Sequence, residues 1–312
     1  MKIVFMATPQ FAIPSLDALF KSEHKVVAVV TGEDKPRGRG QDVSFTPIKN
    51  VALEYGIECL QPTSLKNQDF IAKLKLYDAD VFVIVAFKIL PKEVYSIPKY
   101  GSINAHTSLL PKYRGAAPIN RAIMNGETET GITTFFLQDS VDTGEIILQQ
   151  KVEIPRNMDA GLLHDLLASK AGVTILDSLS LIEKIGDKLK LFKQNPDEVT
   201  NAPKIFKSDC KINWNQNFEK LYNYIRGLSP RPTAWTINNN IVYKIFRIAD
   251  NKIPFESQKN IPGTIKSENG KLFAASNECW CEILEIQKEG KNRMSAAEFL
   301  RGNTFSEGEI FS

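Results

Sequence analysis

The run Val26-Val27-Ala28-Val29-Val30, bounded by Lys25 and Thr31, offers no polar residue to either face of an extended chain. A strand built from it must be covered on both sides. Residues 80–86 repeat the pattern, with Val81 to Val85 all apolar. Antiparallel sheets often leave one face to water and alternate, whereas continuous β-branched runs belong to parallel sheets with helices on both faces. The intervening segments supply those helices. Residues 2–6 form a further apolar strand. Residues 11–20 carry apolar side chains at helical spacing, with Pro14 near the first turn, where its missing N–H is tolerated. Residues 47–55 and 69–76 are helical, and 57–60 make a short strand. The alternation predicts right-handed βαβ units in an α/β fold with a doubly wound, mostly parallel sheet.

At 312 residues the chain exceeds a usual single domain. After Gly144, residues 145–152 alternate like a strand and 159–185 hold a long helical period, read as one or two helices. Residues 190–207 are polar and irregular, with Pro196 and Pro203, and read as a linker. A first domain over 1–189 and a second over 208–312 follow. In the second, 218–226 is helical, and five short alternating segments (236–237, 242–249, 263–266, 272–275 and 281–286) are punctuated by Asn238-Asn239-Asn240 and Asn269-Gly270. Such spacing suggests a small β-barrel.

Composition is that of an ordinary globular protein, and no apolar run of about 18 residues suggests a membrane span. The N-terminus, with Pro9 and Gln10 directly after the first strand, does not resemble a cleavable signal, which points to a cytoplasmic protein. Cys59, Cys210, Cys279 and Cys281 lack a Cys-x-x-Cys pair and there are only three histidines, so no metal site is expected and the thiols read as reduced and structural. A net charge of +3 does not announce a nucleic-acid partner. Residues 201–250, however, hold eight basic against three acidic groups, a bias that RNA contact or a merely solvated face would explain equally.

The chemistry concentrates around Asn104, His106 and Ser108, spaced by two. Residues 101–106 read as a strand in which Ile103 and Ala105 alternate with Ser102, Asn104 and His106. Asn104 and His106 then share a face near the strand's carboxyl end, where open α/β sheets place their chemistry. Asp142, in Asp142-Thr143-Gly144, sits in a second polar loop and is suited to hold the imidazole's tautomer. An amide donor for an oxyanion, a proton-moving histidine and an orienting carboxylate fit acyl transfer to an amine, or hydrolysis. A turn asparagine, a satisfied core histidine and a capping aspartate account for the spacing as well.

Dinucleotide binding has no support: the first strand ends in Ala7-Thr8-Pro9-Gln10-Phe11, without Gly-x-Gly-x-x-Gly. Two loops carry secondary signals. Residues 34–40 gather Lys35, Arg37 and Arg39 with two glycines, suited to phosphates or an RNA end but equally to a solvated cluster. Phe87-Lys88-Ile89-Leu90-Pro91 could clasp a flat heterocycle, or simply pack in the core.

The segment Asn104-Ala-His106-Thr-Ser108-Leu-Leu-Pro111-Lys-Tyr-Arg114-Gly115-Ala-Ala-Pro118-Ile119 resembles the signature of 10-formyltetrahydrofolate-dependent formyltransferases, and Asp142-Thr143-Gly144 is similar to that family's second motif. The whole chain is most similar to the branch that acts on methionyl-tRNA. The resemblance implies transfer of a formyl group from 10-formyltetrahydrofolate to the α-amino group of methionine on initiator tRNA, by a monomer. A sugar-nucleotide amine is the alternative acceptor. It implies Asn104, His106 and Asp142 as catalytic residues and Phe87, Ile89, Leu90, Ser108, Leu109, Leu110 and Pro111 as folate contacts. Lys35, Arg37, Arg39 and Arg114 become tRNA contacts, and the C-terminal domain an OB-like barrel. Three positions depart from the family, each replacing a glycine: Ala7, Lys88 (in a segment one residue shorter) and Ser140. Strain is expected at Ala7 if that site needs a positive φ.

Overall fold

The computed structural model describes residues 1–37, 42–256 and 260–312; the side chains of residues 35–37, 42, 43 and 187 lie outside that description. In chain order the first elements are β1 (Lys2–Ala7), α1 (Ile13–Phe20), β2 (Lys25–Val30), β3 (Lys35–Arg37), β4 (Asp42–Ser44), α2 (Pro47–Glu54), β5 (Cys59–Leu60) and α3 (Gln68–Leu76). Then come β6 (Val81–Val85), α4 (Lys92–Tyr95), β7 (Ser102–His106), β8 (Arg114–Gly115), α5 (Pro118–Met124), β9 (Glu129–Phe136), β10 (Ile146–Glu153), α6 (Ala160–Ile185) and β11 (Asn201–Ala202). The remainder is α7 (Phe218–Leu228), β12 (Ala234–Asn238), β13 (Ile241–Ile248), β14 (Ile265–Glu268), β15 (Lys271–Ala275), β16 (Trp280–Lys288), β17 (Met294–Ser295) and α8 (Ala296–Leu300).

The chain divides into two compact units. The first comprises Met1–Gly115, Thr130–Val152 and His164–Asn201. Its seven-stranded sheet has the order β10-β9-β7-β6-β1-β2-β5. β1 pairs in parallel with both β2 and β6, and β6 with β7, so the strand order reverses between β1 and β6 as a doubly wound sheet requires. The apolar runs that predict this sheet are buried: Ile3 to Ala7 and Val81 to Val85 are almost fully covered. α2 and α3 begin where side chains can satisfy free N–H groups, Thr46 accepting from Lys49 N–H and Asn67 from Phe70 N–H. The region 160–185 forms one helix, whose Leu167, Ala171, Ile175, Leu179 and Ile182 are buried at three- and four-residue spacing.

Three differences from the sequence reading have physical reasons. The sheet is mostly parallel as expected, but it carries the unexpected strand β9, antiparallel to β7 and pairing Asn104 with Phe135 and His106 with Thr133. β9 was not expected since Thr130, Thr133 and Thr134 dilute its apolar pattern, yet all three are buried, and Thr133 and Thr134 spend their hydroxyls on Ser108 O and Ser178 Oγ. The segment read as a basic loop around Lys35 and Arg37 contains the antiparallel pair β3 and β4. Ala7 ends β1 fully buried and without a positive φ, so the strain expected there is absent; the left-handed residue is Ala86 (φ 48°), just beyond β6.

The second unit comprises Ala116–Glu129, Glu153–Leu163 and Ala202–Ser312. Its sheet follows the order β12-β13-β16-β15-β14, with β17 beside β16. The hairpin turns lie where the asparagines predict them: Asn239 and Asn240 have φ of 49° and 62°, and Asn269 and Gly270 of 51° and 74°, the left-handed pairs that match the strand twist. The expected OB-like barrel is not closed strand to strand. β12 and β14 are the two ends of the sheet, and the C-terminal tail lies between them. Ser312 exchanges hydrogen bonds with Ile237, Phe311 N–H donates to Gly263 O, and Ile265 N–H donates to Glu309 O. α7 buries Phe218, Leu221, Tyr222 and Ile225 in this core, and Gly227 admits α5 so closely that a Cβ there would stand 2.9 Å from Met124 N.

Candidate active site

All of the predicted catalytic groups belong to the first unit. β7 delivers Asn104 half-buried and His106 only 7% exposed, two residues apart on one strand face. Asn104's side-chain amide makes no hydrogen bond among the described residues, which leaves both of its N–H groups available. His106 is held at both ring nitrogens. Nε2 lies 2.8 Å from Tyr113 O, and since a carbonyl only accepts, Nε2 carries a proton. Nδ1 faces Asp142 Oδ2 at 3.8 Å, beyond direct hydrogen bonding but within reach of charge stabilisation. The Tyr113 carbonyl thus fixes the ring through Nε2, and Nδ1 is the nitrogen turned toward the Asp142 carboxylate.

Asp142 itself is confined. Its side chain is 11% exposed, its backbone is left-handed (φ 55°), and its Oδ2 accepts from Gly115 N–H at 2.9 Å. Gly144 explains the third place of the Asp-Thr-Gly motif: a Cβ there would stand 1.6 Å from Phe136 O. The loop is held from its other end by Tyr95 Oη, which donates to Asp139 at 2.5 Å and has its own deprotonation pushed up by that carboxylate. Each of the three connections leaving β6, β7 and β9 contains a non-glycine residue at positive φ, namely Ala86, Tyr113 and Asp142. Strain of this kind clusters at functional sites.

A cavity of about 380 Å³ opens among Leu65, Lys66, Ile89, Leu90, Pro91, Lys92, Tyr95 and Asp139. Of the expected folate contacts it takes in Ile89, 75% exposed, and Leu90, which anchors the wall in the sheet's core. Phe87 packs half-buried against that same core. The other four belong to a turn beyond β7. Ser108 Oγ donates to Lys112 O, Leu110 is buried with Phe135 and Ile146, and Pro111 follows a cis peptide bond. Leu109 reaches Gly131 of β9, where a Cβ would meet its Cδ2 at 2.5 Å. Leu137 packs against both clusters and so ties the two loops together.

The basic residues expected to touch tRNA are dispersed. Lys35 and Arg37 lie in β3, opposite Ser44 and Asp42, with their side chains outside the description, and Arg39 lies outside the described residues. The base of that segment is fastened where Asp34 accepts from Lys49 Nζ and, at 2.9 Å, from Gln61 Nε2. These donors hold the Asp34 carboxyl below its ordinary range. Arg114 turns its guanidinium to Gln194 Oε1, at 3.0 Å from Nε and 2.6 Å from Nη2, and makes no ion pair among the described residues.

Sequence reading missed the residues that brace this site. Gln149 Nε2 donates to Leu110 O at 2.8 Å and to Thr133 Oγ1 at 2.9 Å, and Thr133 Oγ1 also accepts from Leu110 N–H. Gln194 and Thr200 lie in the segment read as a linker. Polar side chains that bond distant backbone carry no periodic signal in a sequence.

An α/β sheet that brings an amide, a histidine and a carboxylate to the loops leaving its strands, in a unit that also holds a cavity, fits a group-transfer enzyme. Residues 1–178 match the formyl transferase family, and residues 204–304 match the formyl transferase C-terminal domain. The methionyl-tRNA formyltransferase of Flavobacterium johnsoniae is 41% identical over 311 residues, covering 98% of each chain. That of Caldanaerobacter subterraneus is 43% identical, covering 99% of each. Among solved structures, a sugar 3N-formyl transferase crystallised with dTDP and 5-N-formyl-THF shares the fold, with a TM-score of 0.66 at 22% identity over 94% of this chain and 99% of that one. The chain belongs to the formyl transferase family.

Proposed function

We propose that this protein transfers a formyl group from 10-formyltetrahydrofolate to the α-amino group of methionyl-tRNA. One observation carries the reading of the chemistry: His106, its Nε2 fixed by Tyr113 O, turns Nδ1 toward the Asp142 carboxylate and stands two residues along the same strand face from the Asn104 amide. The cavity is lined by Leu65, Ile89, Leu90 and Pro91 together with Tyr95, Asp139, Lys66 and Lys92, a mixed wall suited to a flat pterin with polar edges.

In this reading the acceptor amine attacks the formyl carbon, and Asn104 Nδ2–H donates to the oxyanion that develops. His106 Nδ1 takes the proton that the amine releases, and Asp142 stabilises the resulting imidazolium across 3.8 Å. The carbon–nitrogen bond to N10 then breaks and the proton passes to N10. The products are the formylated amine and tetrahydrofolate, so no further reactant is needed.

For the RNA we assign the residue 34–40 segment and Arg114 in the first unit, and a basic and aromatic surface in the second. There Lys204 stands 5.4 Å over Phe206, Lys211 stands 5.9 Å over Trp235, and Phe206 is 57% exposed. Cations beside one exposed and one half-buried ring suit phosphates and bases together. The reading is tested by formyl transfer to methionyl-tRNA in parallel with transfer to an amino-sugar nucleotide. Transfer to the tRNA alone is expected; transfer to the sugar alone would replace the acceptor.

A further inference from the structure

Gln194 stands in a run of exposed residues, 192–198, and is the one member of that run turned inward. Its side chain makes four hydrogen bonds. Nε2 donates to Asp142 O at 2.9 Å and to Gly144 O at 2.8 Å, and Oε1 accepts from Arg114 Nε and Nη2. The two carbonyls belong to alternate residues of the Asp-Thr-Gly motif, so one primary amide spans the loop that carries the carboxylate. Fixing a glutamine costs side-chain entropy, which a solvent-facing segment offsets only through the contacts that the side chain makes.

The same segment reaches the histidine. Thr200 Oγ1 accepts from Tyr113 N–H at 2.8 Å and Thr200 O accepts from Arg114 N–H at 2.9 Å, while Tyr113 O is the acceptor that holds His106 Nε2. Gly115, next along, donates its N–H to Asp142 Oδ2. Residues 194–200 therefore brace both members of the His106–Asp142 pair, one through Tyr113 and the other through the Asp142 carbonyl.

We propose that Gln194 is a positioning residue for formyl transfer: its amide nitrogen sets where the Asp142 carboxylate stands relative to His106, and its oxygen aims the Arg114 guanidinium. The inference rests on the formyl-transfer reading for its kinetic consequence, but the anchor itself is independent of any substrate. Gln194→Ala removes both halves. Gln194→Glu keeps an acceptor for Arg114 and loses both donors, so it separates them.

The test measures peptide hydrogen exchange and single-turnover formyl transfer in the unaltered protein, Gln194→Ala, Gln194→Glu, Asp142→Asn and the Gln194→Ala/Asp142→Asn double variant. Both Gln194 variants are expected to raise exchange in residues 139–145 while the sheet stays protected, and to slow transfer by about 10-fold or more. In the Asp142→Asn background the same Gln194 change should slow transfer by less than about 2-fold, since residues acting as a unit are non-additive. Unchanged exchange in 139–145, a transfer loss that multiplies fully with Asp142→Asn, or protection lost throughout both variants would each overturn the proposal. Absence of transfer by the unaltered protein would count against the formyl-transfer reading alone; exchange in 139–145 would still decide the anchor.

Discussion

His106 divides its two ring nitrogens between a carbonyl that only accepts and a carboxylate that stands off at 3.8 Å, and this asymmetry makes its role specific. His106→Ala and Asn104→Ala should each lower turnover by about 10²-fold or more while leaving tRNA affinity nearly unchanged, because both lose interactions made in the transition state rather than on binding. Stopped-flow turnover with filter binding on the same preparations checks the split; near-normal turnover in either folded variant removes that residue from the mechanism. Gly144→Ala should cost about 3 kcal/mol in urea unfolding, since the new methyl has only the Phe136 carbonyl to displace. Asn104 and His106 are legible in the sequence because they share a strand face and a motif, and Asp142 because it opens the Asp-Thr-Gly triplet. Gln194 and Thr200 are not: their partners lie tens of residues away and are mostly backbone atoms, which any residue supplies.

Among the elements, the segment after β2 is the one proposed to meet the RNA. Asp34 is held ionised by Lys49 and Gln61, and a folded-state pKa below the unfolded value contributes stability above about pH 4 that is lost as pH falls through the folded value. Asp34→Asn should therefore lower the melting temperature at pH 7 and lower it progressively less as pH falls below about 4; an equal loss across that range would refute the ion-pair account. Replacing Arg37 and Arg39 together by Ala should weaken tRNA binding and flatten its salt dependence, with folate affinity unaltered. Titration at several salt concentrations tests this, and a parental slope would assign the segment to another ligand. The buried strands were legible from their unbroken apolar runs, and the hairpins of the second unit from their asparagines. β9 was hidden because buried threonines look polar until their hydrogen-bond partners are known.

For the whole molecule, the open sheet of the second unit makes the last residues structural. Phe311 is 1% exposed among Trp214, Tyr243 and Phe305, and a Cβ on Gly263 would stand 2.1 Å from its carbonyl. Phe311→Ala should cost about 3–5 kcal/mol of that unit's stability by urea unfolding. Nothing local in residues 309–312 indicates that they lie between two strand ends about 45 and 70 residues earlier in the chain; the pairing is long-range, and only the three-dimensional sheet reveals it. The grouping of residues 116–129 and 153–163 with the C-terminal part is likewise invisible to periodicity. The central claim, that this constellation moves a formyl group onto the amine of a charged tRNA, is tested most directly by incubating the purified protein with radiolabelled 10-formyltetrahydrofolate and initiator methionyl-tRNA. Label recovered on the methionyl amine, abolished in His106→Ala, is the predicted result. Label that stays on the folate, or that appears only when an amino-sugar nucleotide is supplied, would contradict it.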